Sequence, residues 1–82
     1  MKAWQAQNED VLWTVRKGDR TAEARVGTVA GSGGQPELRI YATREAKGTF
    51  GMLFCQVVKD MRAARSLADE KRTEFVTQGW QA

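Results

Sequence analysis

Apolar residues in the first two thirds of the chain recur at every second position, and this spacing changes once, near Asp60. The alternating positions form four groups, which are Val11, Trp13 and Val15; Ala22, Ala24 and Val26; Leu38 and Ile40; and Phe50, Met52 and Phe54. A repeat of two indicates a strand with one buried face, because successive side chains point to opposite sides of a sheet. The pattern predicts four strands, at about residues 11–17, 20–29, 37–43 and 49–58.

After Asp60 the apolar positions have helical spacing. They recur at the three- and four-residue steps of one buried stripe and comprise Met61, Ala64, Ala68 and Phe75. Asp60 suits the N-cap, since its carboxylate can accept a hydrogen bond from an N–H of the first turn. Gly79 stands where a left-handed residue ends a helix, which would bring Phe75 against Trp80 in a Schellman motif. The pattern therefore predicts a helix that runs to about Gln78.

The connections between the predicted strands are short enough for hairpins, as at Gly18-Asp19, where glycine admits a positive φ. We therefore expect an α+β fold, ββββα, in which one C-terminal helix packs on one face of a four-stranded antiparallel meander sheet. Residues 1–10 are expected to form a flexible N-terminal tail, and residues 11–82 a single domain. The residues expected to be buried together are Trp13, Val26, Ile40, Phe50, Phe54, Met61 and Phe75.

Composition excludes several classes of chemistry. The 82 residues include no histidine and a single cysteine, Cys55. The chain therefore lacks histidine general bases, Ser-His-Asp and Cys-His pairs, intrachain disulfides and the usual transition-metal ligand sets. The glycine-rich loop at residues 31–34 precedes a predicted strand, whereas phosphate-binding loops open a helix. We expect a protein that is not an enzyme and that binds no metal or cofactor.

Length and charge bear on partners and location. A domain this small buries a limited core, and oligomerisation is a common way to stabilise such domains. The apolar runs are too short to cross a bilayer, and Met1 and Lys2 lead into a polar stretch without the features of a signal peptide. Together with the single cysteine, these features indicate a cytoplasmic protein with no membrane association. The net charge of +3 favours acidic partners only weakly.

The strand alternation leaves a second sheet face, which the predicted helix does not cover. Its candidate ligand-binding residues are Leu12, Arg16, Arg25, Arg39, Tyr41 and Leu53. This open face is compatible with a solvated surface held by cross-strand ion pairs, such as Arg25 with Glu37 or Arg39 with Glu23. It is equally compatible with a protein interface that includes self-association, and with nucleic-acid binding. Arginine grips phosphate with a planar fork and tyrosine can stack on a base, but Glu23 and Glu37 on the same face repel phosphate.

Residues 12–22, LWTVRKGDRTA, resemble the strand-turn-strand of a family of short uncharacterised bacterial proteins. The segments Glu37-Leu38-Arg39, Glu70-Lys71-Arg72 and Gly79-Trp80 share in that resemblance. It implies a bacterial, cytoplasmic protein, and it carries no catalytic residue onto this chain. The longer glycine-rich loop and the ten-residue leader depart from the family. In the order of its elements alone, the chain also resembles dimeric coactivators that bind single-stranded DNA.

These patterns favour a non-enzymatic interaction protein that forms a homodimer, with its protein partner otherwise undefined. The alternative is a nucleic-acid-binding module that uses Arg16, Arg25, Arg39 and Tyr41 on the open sheet face.

Overall fold

Four antiparallel strands and a C-terminal helix make up the fold in a computed structural model, which describes residues 9–28, 33–43 and 50–82. The sheet has the order β1-β2-β3-β4, which confirms the predicted α+β meander. The elements are β1 (Asp10–Lys17), β2 (Arg20–Thr28), β3 (Pro36–Thr43), β4 (Phe50–Val57) and α1 (Met61–Thr77). Strand β1 starts one residue earlier than expected, inside the segment predicted as a tail. Glu9 is described as well, whereas residues 1–8 of that segment lie outside the described residues.

The core lies between α1 and one face of the sheet. Small residues dominate it: Ala24 of β2 packs with Leu38 and Ile40 of β3 against Ala68 of the helix. Alanine on both sides lets the helix axis approach the sheet closely, so that a thin layer of side chains fills the space between them. The most buried apolar residues are Val15, Ala22, Ala24, Val26, Leu38, Ile40, Ala42, Ala64, Ala68 and Trp80.

The predicted core is confirmed in part. Val26 and Ile40 are buried, and the half-buried Trp13, Phe54 and Phe75 pack against the core. The prediction for Met61 is wrong, since this residue is 40% exposed. It occupies the first position of α1, whereas the buried stripe of the helix comprises Ala64 and Ala68 in later turns. The Phe50 side chain lies outside the described part of the structure.

Irregularities in β1 and β4 change the predicted sheet faces. The β1 register shifts between Val11 and Trp13, and the β3–β4 register shifts where Met52, instead of Leu53, opposes Tyr41. An extra residue in one strand moves the residues beyond it to the other face. Met52 therefore shares the open face with Tyr41, and its predicted place in the core is wrong.

The shift in β1 has the same effect on Val11 and Leu12. Val11 opposes Arg25 and is 55% exposed, although alternation had placed it with the core residues. Leu12, predicted on the open face, packs instead against the helix-side core. The prediction for Leu12 is therefore wrong, because the extra residue brings two consecutive side chains, Leu12 and Trp13, to the core face.

Both predicted helix ends are confirmed. The Ala63 N–H donates to Asp60 Oδ1 over 2.8 Å, as expected of an N-cap. At the other end, Gly79 has φ of +99°, and the Trp80 and Gly79 N–H groups donate to the carbonyl oxygens of Phe75 and Val76. These two bonds define a Schellman motif.

The residues after α1 fasten the helix to β1. Trp80 is buried and packs edge-on against Phe75, with ring centroids 5.3 Å apart. Gln81 exchanges two 2.7 Å backbone hydrogen bonds with Arg16, and Lys17 Nζ donates to the Gln78 carbonyl oxygen. The backbone of Gln81 thereby pairs with a short section of the outer edge of β1.

Leu38→Ala should lower the free energy of unfolding by about 2–5 kcal/mol, because it removes a fully buried side chain and leaves a cavity. Urea denaturation followed by tryptophan fluorescence measures the change. Val76→Ala, at a position 48% exposed on the helix, is the matched control and should cost much less. Equal losses for the two variants would contradict the position of the core.

Gly79→Val should destabilise the chain by about 1 kcal/mol or more, because a β-branched residue is strained at positive φ. Thermal unfolding followed by circular dichroism measures this loss. Gly79→Asn should cost less, since asparagine tolerates left-handed conformations. A valine variant as stable as the asparagine variant would show that the positive φ is not required in solution.

Candidate open-face site

The open sheet face carries a set of charged residues that bond to one another. They come from β2, from β3 and from the residue just before β1, and we call them the open-face ion cluster: Glu9, Glu23, Arg25, Glu37 and Arg39. Their side chains are only 8% to 22% exposed, because they cover one another on the sheet. Three carboxylates and two guanidinium groups give the cluster a formal charge of −1.

At the centre of the cluster, Arg25 and Arg39 are directly opposite each other on β2 and β3. Two like charges in that arrangement destabilise a sheet unless an anion lies between them. Glu9 supplies that anion: its Oε1 lies 3.2 Å from Nη1 of Arg25, and its Oε2 lies 2.8 Å from Nη1 of Arg39. A single carboxylate thereby bridges both guanidinium groups.

The other two carboxylates each bind the arginine two residues further along their own strand. Arg25 Nε donates to Glu23 Oε2, and Arg39 Nε donates to Glu37 Oε1 over 2.6 Å. The expected cross-strand pairs, Arg25 with Glu37 and Arg39 with Glu23, are therefore not the ones observed. The reason is the register, which sets arginine opposite arginine and places Glu23 opposite Tyr41.

Each guanidinium group also has a specific neighbour on the sheet. The Arg25 guanidinium carbon lies 4.8 Å from the ring centroid of Tyr41, which is a cation–π arrangement. Arg39 lies over Gly27, where a Cβ atom would come within 2.9 Å of Nη1. The absence of a side chain at Gly27 therefore lets the Arg39 guanidinium lie against the backbone.

The electrostatics agree with this geometry. Burial lowers the pKa of Arg25 and Arg39, but their bonds to the glutamates outweigh it, so that both pKa values rise and both arginines stay charged. The pKa of Tyr41 is raised, first by burial and then by the negative charge of Glu9, against the opposing effect of the two arginines. The cluster thus favours the neutral phenol.

The structure brings three of the six candidate residues together: Arg25, Arg39 and Tyr41. Val11 is the β1 residue that faces Arg25, and Arg16 lies five positions further along the strand. Arg16 is therefore about 17 Å from Val11 along β1. Leu53 is 59% exposed at the irregularity in β4. With Leu12 on the core side, the remaining three candidates share no site with the cluster.

The sequence reasoning missed Glu9, which it had assigned to the tail. The sequence did contain an indirect indication of such a residue. Pairing of β2 with β3 places Arg25 opposite Arg39, and two opposed like charges favour a nearby anion. Three glutamates were available in or next to the strands, and strand pairing alone does not identify the one that bridges.

A second surface feature is the outer edge of β4. Large apolar side chains are exposed there: Met52 at 47%, Leu53 at 59% and Val57 at 43%. Cys55 is exposed as well and opposes Arg39. None of the described strands pairs with this edge, so it presents backbone and apolar groups together.

Other kinds of site were sought within residues 9–28, 33–43 and 50–82. The cysteine and carboxylate side chains of these residues form no group that could hold a metal ion. Nor do these residues include a helix long and apolar enough to cross a membrane. An open groove of about 340 Å³ lies between β1 and α1, beside Trp13 and Arg65. It has no cluster of charged side chains like the one on the opposite face.

Comparison with protein-family models, with curated proteins and with solved structures finds no match to this chain. The resemblance to short bacterial proteins therefore stays a prediction from the sequence.

Tyr41 should ionise at a higher pH in the folded protein than in the denatured chain. Because the folded pKa is the higher one, the associated stabilisation is complete below the denatured pKa and is lost as the pH rises through the folded pKa. Tyr41 is the chain's one tyrosine, so phenolate absorbance in buffer and in denaturant reports on it alone.

Two substitutions test the cause of this shift. Glu9→Gln should lower the folded midpoint partway, because it removes the negative charge and leaves the burial. Glu74→Gln, which alters the surface pair with Lys71, should leave the midpoint unchanged. A folded midpoint at or below that of the denatured chain would contradict the described environment of Tyr41.

Proposed function

We propose that this chain is a non-enzymatic interaction protein that forms a homodimer by pairing the outer edges of two β4 strands. The observation that carries the proposal is the exposure of Met52, Leu53 and Val57 along a sheet edge. An edge of this kind is a template for pairing with another strand. Pairing would satisfy backbone groups and bury apolar side chains in one step.

The chemistry of β4 favours a second copy of the same strand as the occupant. Its eight residues, FGMLFCQV, include no charged side chain. A two-fold axis brings each surface patch against itself, so a charged strand would oppose its own charges. An uncharged strand meets its copy without that repulsion. The strand also lacks the lysine and proline residues that commonly protect an edge.

The opposite edge of the sheet is less suited to the same role. Gln81 already exchanges two backbone hydrogen bonds with Arg16 on β1. Strand β1 also carries charges at Asp10, Arg16 and Lys17, which would oppose like charges in some symmetric registers. We therefore assign self-association to β4.

The proposal includes a bacterial, cytoplasmic setting. The resemblance of residues 12–22 to a bacterial family supports the source. The single cysteine, exposed in β4, is compatible with a reducing compartment, where surface thiols persist without pairing.

The open-face ion cluster makes the nucleic-acid alternative less favourable. Arg25 and Arg39 each contact two carboxylates, and a phosphate would compete with these carboxylates for the guanidinium groups. The cluster has a net negative charge, which opposes the phosphate backbone. The expectation for single-stranded DNA is therefore affinity weaker than micromolar at physiological salt.

Leu53→Lys should convert the dimer to a monomer, because it places a charge at the centre of the paired edge and sets it against its copy. Light scattering coupled to size exclusion would give a mass near twice 9.2 kDa for the wild type and 9.2 kDa for the variant. Val76→Lys, on the helix at a position 48% exposed, is the matched control and should remain dimeric.

A spin label on Cys55 tests which edge is used. If the two-fold axis crosses the middle of β4, the labels should lie within about 15 Å of each other. Pairing through β1 would instead separate the two β4 strands by seven inter-strand spacings, which is about 34 Å. A wild-type protein that is monomeric at micromolar concentration would refute the proposal. So would a dimer unaffected by Leu53→Lys, and submicromolar, salt-sensitive binding of single-stranded DNA would favour the alternative.

A further inference from the structure

The guanidinium groups of Arg25 and Arg39 make a place for one carboxylate. They lie side by side on neighbouring strands, and one Nη1 of each points to a different oxygen of the same carboxyl group. Arginine forks suit this kind of planar, two-oxygen recognition. Gly27 adds to the site, because its missing Cβ leaves room for Arg39 Nη1.

The carboxylate that lies between the two guanidinium groups is that of Glu9, and its position at the end of the sheet allows it to withdraw. Glu23 and Glu37 lie within β2 and β3, where they are fixed by backbone pairing on both sides. Glu9 precedes β1, whose first residue, Asp10, pairs with Val26. Ends of strands open locally at much lower cost than their centres, so Glu9 can withdraw without unfolding the sheet.

We propose that Arg25 and Arg39 form a carboxylate-binding site, which the chain fills with its own Glu9 and which an acidic polypeptide partner occupies by displacing it. Glu9 then acts as a tethered competitor. The site lies on the face of β2 and β3 beside β4, and the proposal does not rest on dimerisation through the β4 edge.

Charge balance favours a carboxylate over a phosphate as the ligand. Without Glu9, the two arginines and the two remaining glutamates have a formal charge of zero. A monoanionic carboxylate restores the −1 of the intact cluster, whereas a phosphate dianion would exceed it next to Glu23 and Glu37. The net charge of the whole chain, +3, also favours acidic partners.

The test compares the wild-type protein with Glu9→Ala in full-length form, using a fluorescent peptide of alternating glutamate and glycine. If Glu9 occupies the site about nine-tenths of the time, its removal should tighten peptide binding about tenfold. Adding Arg39→Ala to the Glu9→Ala variant should abolish that gain. Glu74→Ala, at the surface pair with Lys71, is the matched control and should bind like the wild type.

Competition separates the possible ligands. Acetate should displace the peptide from the Glu9→Ala variant at lower concentration than phosphate does at equal ionic strength. If circular dichroism shows that Glu9→Ala is unfolded, Glu9→Gln takes its place, since the amide keeps the shape without the charge. Binding no tighter than that of the wild type, a gain that survives Arg39→Ala, or equal competition by phosphate would each overturn the proposal.

Discussion

The pairing of β2 with β3 is the constraint on which both faces of the molecule depend. In one register it sets Ala24 opposite Ile40 under the helix and Arg25 opposite Arg39 on the other side. A shift by one residue would expose the apolar set and bury the arginines. Burial of the apolar core therefore keeps Arg25 opposite Arg39, an arrangement that is unfavourable by itself.

On the open face, the repulsion between the two arginines is offset by Glu9, which lies outside both strands. A neighbour two residues along the strand can neutralise one arginine, but it leaves the two guanidinium groups facing each other. Glu9 interacts with both, and its side chain is 8% exposed. Removing one partner of a poorly solvated charge group costs more than forming it gains. Glu9 is thus held by its ion pairs, whereas the strands are held by packing.

The parts of the fold that sequence could predict are those set by local chemistry. The cap at Asp60, the left-handed Gly79 and the Phe75–Trp80 contact depend on residues within a few positions of one another. The sheet order followed from short connections and alternating apolar residues. The irregularities in β1 and β4 could not be predicted, because alternation assumes one residue per step. They account for the misplacement of Leu12, Val11 and Met52. The bridging role of Glu9 depends on the pairing of β2 with β3, and no local sequence pattern indicates it.

The attachment of the C-terminal residues to β1 has a consequence for the order in which the chain is completed. Lys17 and the Gln78 carbonyl are 61 positions apart, and Trp80 closes over Val15. Synthesis runs from the N-terminus, so β1 leaves the ribosome long before the residues that cover it. During that interval Val15 and the backbone of Arg16 stay accessible to other chains. During synthesis β1 is therefore open to non-native pairing until the residues that cover it have been made.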